Sequence, residues 1–391
     1  MLLSIPKSEF KERQQNFIRE ASSKKCEASV LFAVADIFYL TGFHFHPTER
    51  PIGMFIDPQE KVHLFLPQLE TEHAEEYAVV DYVHDYPEYP GIKHPMEYFK
   101  ELLVEFGFEN KSVGYDAIGY GSSMGYRGQP LNELISAEWV SVKGIVEELR
   151  FIKSDHEIEL IKESCRWGNL AHRLLQKYSK AGYSEIEVSG KASMEATMAM
   201  IETLGPEYKP HGQTAFATFR GQVGPESAFP HAVTQNIILK KGDTLVTGAA
   251  ASVFGYTSEL ERTMFVEEYN AEQEKHFNYM LAAQDIAIAA IKPGVTYSDV
   301  EKEVQRYFKE EGITGLTRHH TGHNIGILGH EAPFFDLGDH TEIKPGMVVT
   351  VEPGIYVPGL GGFRHSDTVL VTEDGNEMLT YYPRDLESMI C

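Results

Sequence analysis

Ser154 stands three residues ahead of Glu157 at the head of "SDHEIELIKESCRWGNLAHRLLQKY", a capping-box spacing that opens a long helix. This helix start constrains the fold more than any other feature, because the chain has a different texture on each side of it. Before it, short apolar runs (Val62 to Leu66, Val79 to Val83, Ser112 to Tyr115) alternate with helical stretches such as "PMEYFKELLVEFGF", an α/β pattern. After it come a second helix over 184–203, a hairpin over 242–263, two helices parted by the Lys292-Pro293-Gly294 stop, and a strand-rich tail. Helices, strands, helices, strands predict an α+β domain of two similar halves. A chain of 391 residues exceeds one ordinary core, so the expectation is an α/β domain over 1–150 and an α+β domain over 151–391.

The net charge of −23 argues against nucleic acid or an anionic membrane as partner, since both need basic surface. No apolar run approaches the roughly 20 residues of a membrane span. Cys26, Cys165 and Cys391 are odd in number and scattered, which fits a reducing compartment, and the N-terminus lacks the pattern of a signal peptide. A cytoplasmic protein acting on a small molecule is the expectation.

Five stretches of the second half set polar residues in strand or Gly-rich surroundings: "FPHAVTQN", "GYTSELERT", "RHHTGHNIGILGHEAP", "VEPG" and "GGFRHSDTV". Histidine exchanges protons near neutral pH, and carboxylates hold cations. His231 before an apolar run is, on local context, more often the pattern of a hydrogen-bonded structural residue. Glu259 and Glu261 lie two apart in a strand and so share a face, which is also how a solvated strand face reads. Glu352 follows "MVVTV" and precedes Pro-Gly, which predicts a buried acid at a strand end, in need of partners. His319 and His323 have a spacing that converges on a cation only in a helix, and Thr321-Gly322 between them disfavours one.

Taken in order, these stretches resemble the pita-bread family of creatinases, prolidases and aminopeptidases P, and "DIFYLTGF" resembles that family's N-terminal domain. The resemblance implies a C-terminal pita-bread domain behind a smaller creatinase N-terminal-like domain, working as a homodimer. Ligand positions of the two-metal members fall on Gly248, Glu259, His323, Glu352 and Ser366, so two are lost and one is lengthened. That pattern resembles the creatinase branch, which implies cleavage of a C–N bond of a guanidino, amidine or amide compound without metal or other cofactor. In this reading His231 is the general base and acid, Glu261 and Glu352 orient the substrate, and His323 and His330 complete the catalytic set. Arg50, Glu259, Arg364 and His365 bind substrate. The alternative is an Xaa-Pro dipeptidase with one divalent ion on Glu259, His323 and Glu352, and a third reading is a non-catalytic binding protein.

Overall fold

In the computed structural model, which describes residues 3–121 and 124–391, the chain divides into a unit of Ile5–Arg150 and a unit built on Phe151–Cys391. The first unit rests on six strands: β1 (Ala28–Leu31), β2 (Gly53–Ile56), β3 (Val62–Pro67), β4 (Tyr82–Tyr86), β5 (Ser112–Tyr115) and β6 (Glu138–Ser141). Their order is β4-β3-β2-β1-β5-β6, antiparallel on both sides of β2 and parallel elsewhere. Parallel neighbours need crossover connections. Helices α1 (Lys7–Ser23) and α2 (Val34–Thr41) flank β1, and the crossovers carry α3 (Thr71–Tyr77), α4 (Pro95–Glu105) and α5 (Leu131–Leu134), with α6 (Ile145–Leu149) last. Phe55, Phe65, Phe99 and Phe108 are fully buried in an aromatic core, with the Phe65 and Phe99 rings stacked 4.7 Å apart. Cys26 is sealed in the same unit.

The second unit begins with α7 (Asp155–Tyr178). Its capping box forms as the spacing predicts: Ser154 Oγ accepts from the Glu157 N–H at 3.2 Å, and Glu157 Oε2 accepts from the Ser154 N–H at 2.8 Å. Ser184 and Glu187 repeat the device on α8 (Glu185–Leu204). Strands β7 (Phe216–Thr218), β8 (Thr244–Ala250) and β9 (Leu260–Phe265) follow, then α9 (Ala271–Ala290) and α10 (Tyr297–Glu310). The remaining strands are β10 (His323–Asn324), β11 (Glu331–Phe334), β12 (Val348–Val351), β13 (Gly354–Val357), β14 (Gly361–Arg364), β15 (Ser366–Val371) and β16 (Asn376–Met378). One sheet runs β11-β10-β12-β15-β9-β8-β7 with β16 added on β15, while β13 and β14 form a ribbon of their own. A mixed α/β unit ahead of an α+β unit is therefore the observed architecture. Helix α7 lies against β8 so closely that a Cβ on Gly168 would stand 3.2 Å from Ala250 Cα.

Strand β9 reads "LERTMF" and yet every residue of it is buried. Two buried charges on opposite faces make that possible. On one face Arg262 forks onto Asp367 at 2.8 and 3.1 Å and donates to the carbonyls of Tyr382, Pro383 and Ser366. On the other lies Glu261, whose register partners are Gly248 on β8 and Ser366 on β15. Gly248, Glu261 and Ser366 thus form one row across three adjacent strands.

Candidate active site

The row places Glu261 between two positions that bear no carboxylate. Arg364, buried at the end of β14, donates from Nε and Nη2 to the Glu261 carboxylate, the second bond at 2.8 Å, and from Nη1 to Tyr356 Oη at 2.8 Å. Arg220, on the loop after β7, reaches the same carboxylate from the solvent side. Buried carboxylates need such partners, and this one has two guanidinium groups.

Beside it, His323 on β10 is fully buried. Its Nδ1–H donates to the Asn324 carbonyl at 2.8 Å, which turns Nε2 to within 3.0 Å of Glu352 Oε1. Glu352 follows β12, and its N–H is fixed on the Thr321 carbonyl at 2.7 Å. Burial alone would lower the His323 pKa, but the Glu352 hydrogen bond and the charges of Glu259 and Glu352 raise it to about 9. Burial opposes ionisation of Glu352 as well; His323 and Arg364 win and hold it well below the usual carboxylate range. Glu259, just before β9, moves the other way. Burial and then its neighbours Glu352 and Glu261 raise it, against the Ser366 hydroxyl that donates to Oε1 at 2.6 Å.

Ligand-type atoms converge here. One each from Glu259, His323 and His330, and likewise from Glu259, Glu261 and Glu352, lie within 4.8 Å of one another. His330 is exposed and stacks on the His323 ring with centroids 3.9 Å apart. Burial and the His323 charge lower its pKa. Glu259 is common to both sets, and His323 and Glu352, one from each, lie 3.0 Å apart, so these residues fit one divalent cation. They do not fit two, because Gly248 has no side chain and Ser366 spends its hydroxyl on Glu259.

The other expected residues lie elsewhere or do other work. His231 is exposed on the loop after the 3-10 turn Gly224–Ala228. Arg50 belongs to the first unit, where Glu49 and Glu88 hold its guanidinium. His365, expected to bind substrate, is fully buried: Nδ1 accepts from the Thr263 N–H at 3.1 Å, and Nε2 faces the Arg384 carbonyl at 3.1 Å. His319 pairs with Tyr356 Oη at 2.7 Å instead of converging with His323. Sequence reasoning missed Arg220, whose contact with Glu261 spans 41 residues, and Tyr356, which meets Arg364 across the ribbon of β13 and β14. Among the described residues no helix is long and apolar enough to cross a membrane.

A family model described as metallopeptidase family M24 matches residues 159–373, and one described as the creatinase/prolidase N-terminal domain matches 13–152. An Xaa-Pro dipeptidase of Pyrococcus furiosus is 28% identical over 382 residues, covering 96% of this chain and 99% of that one. An uncharacterized peptidase of Staphylococcus saprophyticus is 31% identical over 378 residues, 95% and 99% of the two chains. Among solved structures, the Xaa-Pro dipeptidase from Bacillus anthracis superimposes with a TM-score of 0.80 at 28% identity, over 98% and 100%. These likenesses overturn the expectation of a metal-free, creatinase-like hydrolase that needs no cofactor. The geometry gives the physical reason: Glu261, expected to grip a substrate guanidinium, is already taken by two guanidinium groups of the protein itself.

Proposed function

This chain belongs to metallopeptidase family M24, and on that footing we propose that it is an Xaa-Pro dipeptidase-type hydrolase working with one divalent cation on Glu259, His323 and Glu352. The observation that supports the reading is that Glu259 lies within ligand range of both His323 and Glu352, beside the row Gly248, Glu261, Ser366, whose two outer positions offer no carboxylate. A divalent cation there supplies Lewis acidity toward the scissile carbonyl.

The chain's own residues do the rest. The Asn324 carbonyl holds the His323 ring in one orientation through Nδ1, and Glu352 is fixed by its backbone bond, so that His323 Nε2 and Glu352 Oε1, 3.0 Å apart, would both be free to face the cation. Glu259, whose Oε1 accepts from the Ser366 hydroxyl, would hold the cation with its other oxygen, and His330, left neutral, is suited to take a proton from the attacking water and return it to the departing proline nitrogen as the C–N bond breaks. His330 stays neutral at neutral pH and faces solvent, so it can hydrogen-bond the incoming peptide. Assembly as a homodimer and a cytoplasmic location belong to the same proposal.

Purified protein assayed on a panel of Xaa-Pro dipeptides should lose activity to a chelator and recover it with one equivalent of Mn2+ per chain. Glu352→Gln should lower kcat/KM by at least about 10²-fold. Chelator-resistant turnover, or turnover of guanidino compounds in place of dipeptides, would sink the reading.

A further inference from the structure

The single-cation reading leaves a gap in the charge pattern where the row Gly248, Glu261, Ser366 crosses the sheet. A Cβ on Gly248 would stand 3.5 Å from Glu261 Oε1, in ordinary contact. A carboxylate on that Cβ would therefore stand beside the Glu261 carboxylate and the guanidinium groups bound to it. Glu261 brings positive charge with it. The Arg364 guanidinium lies between two acids, bonded to Glu261 and 3.9 Å from Glu352 Oε2. Arg220 adds a second guanidinium from a backbone turned to a positive φ of 52°, with its side chain 44% exposed and its Nη2 also 3.4 Å from Gln222 Oε1.

We propose that Arg220, Glu261 and Arg364 form a fixed-charge replacement for a second cation, occupying the place between Gly248 and Ser366 and supplying there the positive charge that a metal ion would. The proposal rests on the single-cation reading and assigns Arg220 a positioning role that no local pattern announces. It accounts for three features together: the missing carboxylate at 248, the serine at 366, and a buried glutamate bound by two guanidinium groups between them. A guanidinium carries its charge permanently and cannot be chelated away, so the cluster of two guanidinium groups on one carboxylate keeps its net positive charge whatever the metal supply.

The test is the Mn2+ stoichiometry of metal-stripped protein, by calorimetric titration and elemental analysis. The native chain should bind one ion. Gly248→Asp with Ser366→Glu, which restores both carboxylates but leaves Glu261 in place, should still bind one. Adding Glu261→Thr to that pair should raise the count to two. Two ions in the double variant, or one in a folded triple variant, overturns the proposal. The difference between double and triple variants stays readable even if the native chain binds none, which would sink the single-cation reading instead. Arg220→Gln on the half-exposed loop avoids any folding problem. Removing its charge should tighten Mn2+ binding on the order of tenfold, as loss of a nearby like charge requires; unchanged affinity overturns the role given to Arg220.

Discussion

Thr247 donates its hydroxyl proton to the Arg262 carbonyl at 2.9 Å, so in the 2.7 Å bond it shares with His172 the imidazole Nε2–H is the donor. That leaves His172 Nδ1 bare, buried and without a partner among the described residues. Burial, helped by the Arg262 charge, pushes the pKa down to about 3. A base depressed in the folded state takes up its proton more readily when unfolded, so its stabilising contribution is complete above the unfolded value near 6.5 and falls as pH drops toward 3. Between pH 6.5 and 5 His172 should cost the native protein about 2 kcal/mol. His172→Gln, which keeps a donor for Thr247, should flatten that part of the pH profile of urea unfolding; an identical slope would clear His172. Residues of the candidate site were legible where an acid ends a buried strand, as at Glu352. The run Arg364, His365, Ser366, Asp367 was only half legible. Alternation separates two faces, but both faces are buried, and nothing local says which one meets the carboxylates. Arg220 had no signal at all, since its partner lies 41 residues away on another strand.

At the scale of elements, Gly168 inverts an ordinary rule. Glycine inside a helix is worse than alanine by roughly 0.5–1 kcal/mol, so Gly→Ala in a free helix stabilises. Here the added methyl would press on the Ala250 Cα at 3.2 Å and the Ala249 carbonyl at 3.5 Å, both backbone atoms of β8. Gly168→Ala should therefore destabilise by about 1–3 kcal/mol, read as a fall in Tm. A rise would mean that α7 and β8 have room to separate. The helix itself was readable from its capping box, because a cap is a local event. Strands β10 and β11 were not, since the stretch around His323 is Gly-punctuated and lacks alternation; its strand pairing with β12 comes from partners far along the chain. The pairing that turns Glu261 from a solvated face into a buried one is equally non-local: β9 gains β8 on one side and β15 on the other.

Over the whole molecule, each of the two units closes over an interior of its own. The thiols divide with them. Cys26 lies buried in the first unit, and Cys165 and Cys391 in the second. Burial raises all three, the latter two to about 12. Thiolate is the reactive form, so an aromatic disulfide reagent should find almost nothing to attack while the chain is folded. Labelling speed then becomes a clock for opening, and the identity of the labelled peptide names the unit that opened. In a mild denaturant series, mass spectrometry after brief exposure should show Cys26 and the Cys165–Cys391 pair appearing as two separate sets. Prompt labelling of all three without denaturant would show that neither interior is closed.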